Sequence, residues 1–194
     1  MAITSNVSSF LQQVRQGVRP NMFLVDINFP ALVGGDKELT GLMCKSAALP
    51  ASNVGVIEVP FRGRTVKIAG DRTFDNWTAT FINDKDFKVR SRFEEWLKVL
   101  NTHQANTSEE IDPTQYSASV IVKQLEKDSS EGGSILRSYK LWYAFPTSTS
   151  AIDLAYDSND QIEEFTVEFQ YSYWTVDGDS GDESEAGRSG IAIP

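Results

Sequence analysis

Residues 163–174 (EEFTVEFQYSYW) carry the sequence feature that most constrains the fold. Apolar and polar side chains alternate without a break from Glu164 to Tyr173. The apolar side chains are Phe165, Val167, Phe169, Tyr171 and Tyr173. The polar side chains between them are Glu164, Thr166, Glu168, Gln170 and Ser172. A period of two predicts one long β-strand with one face in a hydrophobic core and the other face in water.

Most of the remaining chain is also predicted to be strand. The predicted strands cover residues 22–29, 39–47, 77–83, 116–125, 134–145 and 151–156, and the fifth of these ends before Pro146. Short polar, Gly-rich or Pro-containing stretches separate them, and no repeat of fixed period is present. The sequence therefore predicts a mainly-β domain, a β-barrel or sandwich, with one flanking α-helix and a long protruding loop.

Two segments have the period of an amphipathic helix. The clearer one is residues 84–101, whose apolar stripe is predicted to pack on the barrel and consists of Val89, Phe93, Trp96, Leu97 and Leu100. The shorter one is residues 5–17, where Val7, Phe10, Leu11 and Val14 follow the same spacing. Gly17 is placed to end this second helix.

Residues 48–68 are predicted to form the long protruding loop. Prolines and glycines interrupt the segment too often for a core strand, yet it is too apolar for an unstructured connection. Directly after it, Gly70 and Asp71 are predicted to form a turn, Arg72 to pair with a carboxylate such as Asp75, and Trp77 to enter the core or an interface.

Composition argues against several kinds of partner. The chain has 18 Lys and Arg against 27 Asp and Glu, for a formal net charge of −9. An acidic chain is a poor match for tight binding to a phosphate backbone. No apolar run approaches the length that spans a membrane. Residues 177–194 are small, acidic and rich in Gly and Ser, which predicts a flexible tail.

The residues needed for catalysis or metal binding are scarce. The chain has one cysteine, Cys44, and one histidine, His103, so a zinc site lacks ligands. A Cys–His pair would need a third, orienting group and an activated thiolate, and a lone cysteine is more often a small buried apolar residue. Residues 157–168 have calcium-loop offsets, but Ile162 stands where that loop needs glycine. We therefore expect no enzymatic activity, no metal and no cofactor.

Several stretches resemble one family, the tail tube proteins of contractile-tailed, T-even-type bacteriophages. The resemblance is carried by VKIAGDRTFDNWTATFIND (66–84), RPNMFLVDI (19–27), KSAALPAS (45–52), RSRFEEW (90–96) and the segment 141–174. They occur in the family's order and cover most of residues 19–174. The resemblance implies a tail tube β-barrel domain at residues 19–176, preceded by a helical segment at 1–18 and followed by the acidic tail at 177–194.

The resemblance also implies a structural function. In that family six subunits form a ring, and the rings stack into a tube that conducts the genome inside a contractile sheath. The inter-ring contacts are then expected at Leu49, Pro50, Val59, Phe61, Arg62 and Arg64. The side chains expected to face the lumen are Glu164, Thr166, Glu168 and Gln170.

The resemblance further implies where the protein acts and with what. The expected partners are other copies of the chain, the sheath protein, the baseplate hub, the tail terminator, a tape measure protein in the lumen, and phage DNA that passes without specific binding. The expected location is the virion tail, after assembly in the cytoplasm of the host bacterium.

Two alternatives remain open at this point. One is the tube subunit of a related contractile secretion system or phage-derived injection particle. The other is a β-sandwich module that binds carbohydrate, with Trp77, Trp142 and Tyr143 as stacking platforms.

Overall fold

A computed structural model describes residues 7–15, 17–108, 112–126 and 134–177. The helices are α1 (Val7–Arg15), α2 (Lys37–Leu42), α3 (Lys88–Leu100) and α4 (Pro113–Tyr116). The strands are β1 (Phe23–Asn28), β2 (Cys44–Ala47), β3 (Asn53–Phe61), β4 (Arg64–Thr73), β5 (Trp77–Ile82), β6 (Ala118–Leu125), β7 (Ile135–Thr149), β8 (Glu164–Gln170) and β9 (Tyr173–Asp177). The mainly-β prediction is confirmed. The predicted acidic tail lies outside the described residues, apart from its first residue.

One antiparallel sheet in the order β1-β6-β7-β8-β5-β2 forms the body of the subunit, with β9 added beside β7. Strand β7 belongs to both halves of this sheet. Up to Ala144 it pairs with β6 and β9, and from Phe145 onward it pairs with β8. Tyr143 lies at the change of direction with a φ of 54°, and the register with β6 shifts there by one residue. This bulge bends β7, so that the sheet folds over its own core.

The two halves are called the β9 sheet (β1, β6, the first part of β7, and β9) and the β8 sheet (the last part of β7, β8, β5 and β2). Their inward side chains meet in a single core. Helix α3 closes this core, because Phe93 lies fully buried with its ring centroid 5.1 Å from that of Phe81 and 6.0 Å from that of Phe169. Trp96 is also buried and donates a 2.7 Å hydrogen bond from Nε1 to the Tyr116 carbonyl.

The face that α3 presents to the core differs in detail from the predicted stripe. Val89, Phe93 and Trp96 are buried, and Leu100 is partly buried against the core. Val99 is buried as well and was not part of the predicted stripe, whereas Leu97 is only half-buried and lies outside the core cluster.

The prediction of a strand at residues 39–47 is wrong in its first half. Helix α2 occupies that part, because the Asp36 carboxylate accepts hydrogen bonds from the backbone N–H groups of Glu38 (3.0 Å) and Leu39 (3.1 Å) and so caps a helix. Gly41 allows this helix to lie against β1, since a Cβ there would sit 2.6 Å from the Val25 carbonyl oxygen. Only Cys44–Ala47 forms a strand.

The predicted long loop is a regular β-hairpin made of β3 and β4, and among the described strands these two pair only with each other. The prediction of a turn at Gly70 and Asp71 is wrong, because both residues lie within β4. They form a bulge opposite Gly55, where the two backbones come close: a Cβ on Gly70 would lie 3.2 Å from the backbone of Gly55. Asp75 accepts a 2.8 Å hydrogen bond from the Asn53 amide, and no ion pair to Arg72 is found among the described residues.

Three strand predictions in the second half of the chain also needed correction. Strand β7 continues past Pro146 to Thr149, because beyond Ala144 it pairs on one side only and a proline is tolerated at such an edge. Residues 151–156 form no strand, since β5 and β7 already occupy both edges of β8. The long strand at 163–174 is interrupted after Gln170 and resumes as β9, which turns Tyr173 to the outer face.

Candidate assembly surfaces

The first surface is the hairpin of residues 53–73, called the arm. A two-residue turn closes it, with Arg62 at a φ of 46° and Gly63 at a φ of 82°, as a type I′ turn requires. Each of its strands is about 30 Å long at the usual rise per residue. All but one of the residues in the two strands are exposed, so the arm projects from the subunit.

The two faces of the arm differ in chemistry. The cross-strand pairs on one face are Ile57 with Ile68, Val59 with Val66, and Phe61 with Arg64. The pairs on the other face are Val56 with Ala69, Glu58 with Lys67, and Pro60 with Thr65. The first face therefore carries five large apolar side chains, which are 43–62% exposed in the single subunit. A continuous apolar stripe of this kind marks an interaction surface.

The base of the arm is held firmly in the body. Trp77 is buried and donates a 2.6 Å hydrogen bond from Nε1 to the Ala48 carbonyl. The Ala51 carbonyl accepts hydrogen bonds from the Tyr171 hydroxyl at 3.3 Å and from Trp174 Nε1 at 3.2 Å. The direction in which the arm projects is therefore set by contacts with the core.

The six residues expected to make inter-ring contacts fall into two groups. Leu49 and Pro50 lie at the base of the arm, just before β3. Val59, Phe61, Arg62 and Arg64 lie at or next to the tip, where the Arg62 guanidinium lies 5.3 Å from the centre of the Phe61 ring. Sequence reasoning missed Ile57, Val66 and Ile68, although alternation within 56–61 and 64–68 could have revealed them.

The second surface is the outer face of the β8 sheet. Thr166 and Glu168 on β8 lie opposite Thr80 and Thr78 on β5, and Glu164 lies opposite Ile82. Gln170 donates a hydrogen bond to the Asn76 side chain. All four residues expected to face a lumen therefore share one polar, solvent-accessible face.

The two glutamates on this face are not electrostatically equivalent. Both carboxylate oxygens of Glu164 accept hydrogen bonds from Lys45 Nζ, at 2.5 and 2.7 Å, so a cation offsets its charge. Glu168 is exposed and accepts a 3.1 Å hydrogen bond from the Ser148 hydroxyl. No cation pairs with Glu168 within the described ranges, so it carries the uncompensated negative charge of the face.

A third surface is the irregular segment at residues 151–163, called the acidic loop. Ile152 alone in this loop packs against the core. Leu154 is 80% exposed, Ile162 is 70% exposed and Tyr156 is fully exposed. The loop lines an open cavity of about 1110 Å³. Sequence reasoning read the apolar spacing of 151–156 as a strand and so missed this surface.

The outer face of the β9 sheet carries an aromatic cluster. The rings of Trp142 and Tyr173 stack with centroids 6.1 Å apart, and Lys140 Nζ lies 3.7 Å from the centre of the Trp142 ring. Trp77 is not part of this cluster because it is buried. The three aromatic platforms suggested for carbohydrate binding are therefore not on one accessible surface.

The described residues offer neither an activated cysteine nor a cluster of metal ligands. Desolvation raises the pKa of the Cys44 thiol to about 12, although a hydrogen bond with the Ser46 backbone opposes the shift. The thiol is therefore protonated at neutral pH and is a poor nucleophile. Within the part of the chain that the structure describes, no group of three or more potential metal ligands occurs. The described helices include none with the length and apolarity needed to cross a bilayer.

Comparison with known proteins shows the family to which the chain belongs. The profile of the family described as phage tail tube protein matches residues 18–177. The tail tube protein gp19 of Enterobacteria phage T4 is 35% identical over 156 residues, which are 80% of this chain and 90% of that protein. The chain belongs to the phage tail tube protein family. The role of this family is structural and not catalytic, and the matched range includes the arm, the acidic loop and both sheets.

The fold is shared more widely than the sequence. A chain in the cryo-EM structure of the anti-feeding prophage tube-terminating cap superimposes with a TM-score of 0.61 at 21% identity, covering 91% of this chain and 98% of that chain. A chain in the sheath–tube complex of an extracellular contractile injection system gives a TM-score of 0.57 at 15% identity. The closer sequence relation is to phage tail tubes, so neither the injection-particle nor the carbohydrate-binding alternative is favoured.

Proposed function

We propose that this tail tube protein assembles into six-membered rings that stack into the inner tube of a contractile phage tail. The observation that carries the proposal is the arm, an ordered hairpin whose apolar face is left exposed by the residues that the structure describes. Apolar side chains left this exposed are costly in water, and burial against a second copy removes that cost. A contact between two different surfaces, repeated from ring to ring, generates a filament.

The arm is the proposed inter-ring contact. Its base is fixed by Trp77, Tyr171 and Trp174, so its tip reaches a defined position beyond the body of the subunit. The apolar face would be buried on the adjacent ring, while the Arg62 and Arg64 side chains at the turn meet acidic groups there. Leu49 and Pro50, at the base, would contact the neighbour only where the two bodies approach each other.

The outer face of the β8 sheet is proposed to line the lumen. Hydroxyl, amide and carboxylate groups keep this face hydrated, and they offer a DNA backbone no cluster of cations to bind. Glu168, repeated six times in each ring, would repel phosphate groups and help the genome to pass without sticking. Glu164 contributes less to this repulsion, because Lys45 offsets its charge.

The remaining partners follow from a tube of this kind. Solved relatives of the fold come from a sheath–tube complex, a baseplate and a tube-terminating cap. We propose the corresponding partners here, namely a sheath around the tube, a baseplate hub below it and a terminator above it. A tape measure protein and then DNA would occupy the lumen. The subunit would assemble in the host cytoplasm, with residues 1–18 and the tail 177–194 flanking the tube domain.

Electron microscopy combined with sedimentation velocity tests the proposal. The purified protein, with a baseplate hub added as nucleus, is expected to form hollow filaments built of six-membered rings. A variant in which a Gly-Ser pair replaces residues 54–72 should keep a folded body and form no long tubes. Persistent monomers of the native chain with the hub present would contradict the tube, and normal tubes from the armless variant would contradict the role of the arm.

A further inference from the structure

We infer that the tip of the arm docks onto the acidic loop, residues 151–163, of the subunit in the next ring. The inference rests on the proposed function, because it names the receiving surface for a contact that the arm alone does not define. Four observations carry it: the position of the two elements, their charge, their apolar side chains, and the shape of the loop.

The two elements lie at opposite ends of the β8 sheet. Strand β5 runs antiparallel to β8, with Trp77 opposite Phe169 at one end and Ile82 opposite Glu164 at the other. The arm leads into β5 at Trp77, whereas the acidic loop leads into β8 at Glu164. About 20 Å of paired strand separates the two ends at the usual rise per residue. Subunits stacked head to tail along the direction of these strands would therefore bring the arm of one copy toward the acidic loop of the next.

The charges of the two elements are complementary. The arm contains Lys67 and three arginines against Glu58 and Asp71, for a net charge of +2. Its tip is purely cationic, with Arg62 and Arg64 on either side of Gly63. The acidic loop contains no Lys or Arg, and its carboxylates are Asp153, Asp157, Asp160 and Glu163. Opposite charges on facing surfaces favour one docking orientation and speed association.

The apolar parts also match. Phe61 and Val59 stand on the apolar face near the tip of the arm and are exposed. The acidic loop presents Leu154, Tyr156 and Ile162, and none of the three is even half-buried in its own subunit. An interface with an apolar centre and a charged rim has the composition expected for a stable protein–protein contact.

The shape of the loop suits a receiving surface. Thirteen residues without regular structure are unusual inside a compact domain, and loops of this kind are commonly functional. This loop lines an open cavity of about 1110 Å³, which is ample for a hairpin turn with the Phe61 ring at its end. The arm and the loop each expose apolar groups, and docking one on the other would bury both sets.

Disulfide trapping tests the contact directly. In a Cys44→Ala background, Phe61→Cys and Ile162→Cys are combined in one chain, and assembled tubes are oxidised and run on a non-reducing gel. Because each copy offers one arm and one loop, the expected product is a ladder of linked chains, which either single variant lacks. Val56→Cys with Ile162→Cys is the matched control, since Val56 lies on the other face of the arm. Intact tubes that give no ladder would overturn the inference.

Charge reversal separates this inference from the proposed function. Arg62→Asp with Arg64→Glu, and separately Asp157→Lys with Asp160→Lys, should each raise the critical concentration for tube growth about tenfold. Combining all four changes should restore most of the tube growth, so that the critical concentration returns toward that of the native chain. If the arm variant grows tubes poorly and the added loop changes do not restore growth, the acidic loop is not the receiving surface. That result would leave the arm as the inter-ring contact. Normal growth of the arm variant alone would contradict docking on the acidic loop, whereas the armless variant tests the arm as the inter-ring contact.

Discussion

Replacing Val59 by Ser on the arm tests whether its apolar face forms the inter-ring contact. Val59 is 43% exposed in the single subunit, so docking removes nearly half of its side chain from water. Complete burial of a valine is worth about 1.5–3 kcal/mol, which makes the part contributed by docking about 1 kcal/mol per arm. That corresponds to about a fivefold weaker contact for each subunit. The stability of the subunit itself should change by less than about 0.5 kcal/mol.

Val56→Ser is the matched control for this experiment. Val56 belongs to the same strand and is 60% exposed, but it lies on the opposite face, paired with Ala69. The assay is the concentration of unassembled protein that remains after tubes grown from a baseplate hub are pelleted. We expect Val59→Ser to raise this concentration about fivefold and Val56→Ser to leave it nearly unchanged. Equal effects of the two variants, or a larger effect of Val56→Ser, would refute the assignment of the docking face.

Three further predictions concern the core, a helix terminus and the lumen. Phe93→Ala should destabilise the subunit by about 3–5 kcal/mol in urea unfolding, because the buried Phe93 ring packs against four other aromatic rings; a loss below about 1 kcal/mol would show that α3 does not close the core. Desolvation alone would raise the pKa of Asp84, but hydrogen bonds from the first backbone N–H groups of α3 lower the pKa overall. The ionised Asp84 carboxylate therefore stabilises the fold above the ordinary aspartate pKa of 3.8, and this stabilisation is lost as the pH falls through the lower pKa of the folded state. Asp84→Ala should therefore cost about 1 kcal/mol near neutral pH and progressively less under acid in unfolding titrations, and a cost independent of pH would contradict this capping role. Glu168→Lys should leave tube assembly intact and slow genome delivery in an ejection assay, with Glu168→Gln giving a smaller effect; unchanged delivery by the lysine variant would place Glu168 outside the lumen.

The sequence patterns predicted best those parts of the fold that serve the core of the subunit itself. The alternation in 163–170 placed Phe165, Val167 and Phe169 correctly, because each of these apolar side chains is buried in its own chain. The helical period in 84–101 located α3 for the same reason. Helix α2 was missed although Asp36 followed by Lys37–Leu42 contains a capping signal, since the short apolar run was given more weight than the cap.

The patterns failed where apolar residues stay exposed in their own subunit. Ile152, Leu154 and Tyr156 have the spacing of a strand, yet only Ile152 reaches the core. In the arm, prolines and glycines led to the prediction of a loop where the structure has two regular strands. An isolated hairpin tolerates these residues, whereas a central strand excludes them. A single sequence reports the spacing of apolar side chains but not whether their partner lies in the same chain or in the next copy.

The central claim is that the arm joins stacked rings whose lumen is lined by the outer face of the β8 sheet. Cryo-EM reconstruction of the assembled tube tests this most directly. We expect six subunits in each ring, Glu168 facing the channel, and each arm crossing to the adjacent ring. A reconstruction in which the arm folds back on its own subunit, or in which the outer face of the β8 sheet points away from the channel, would contradict it.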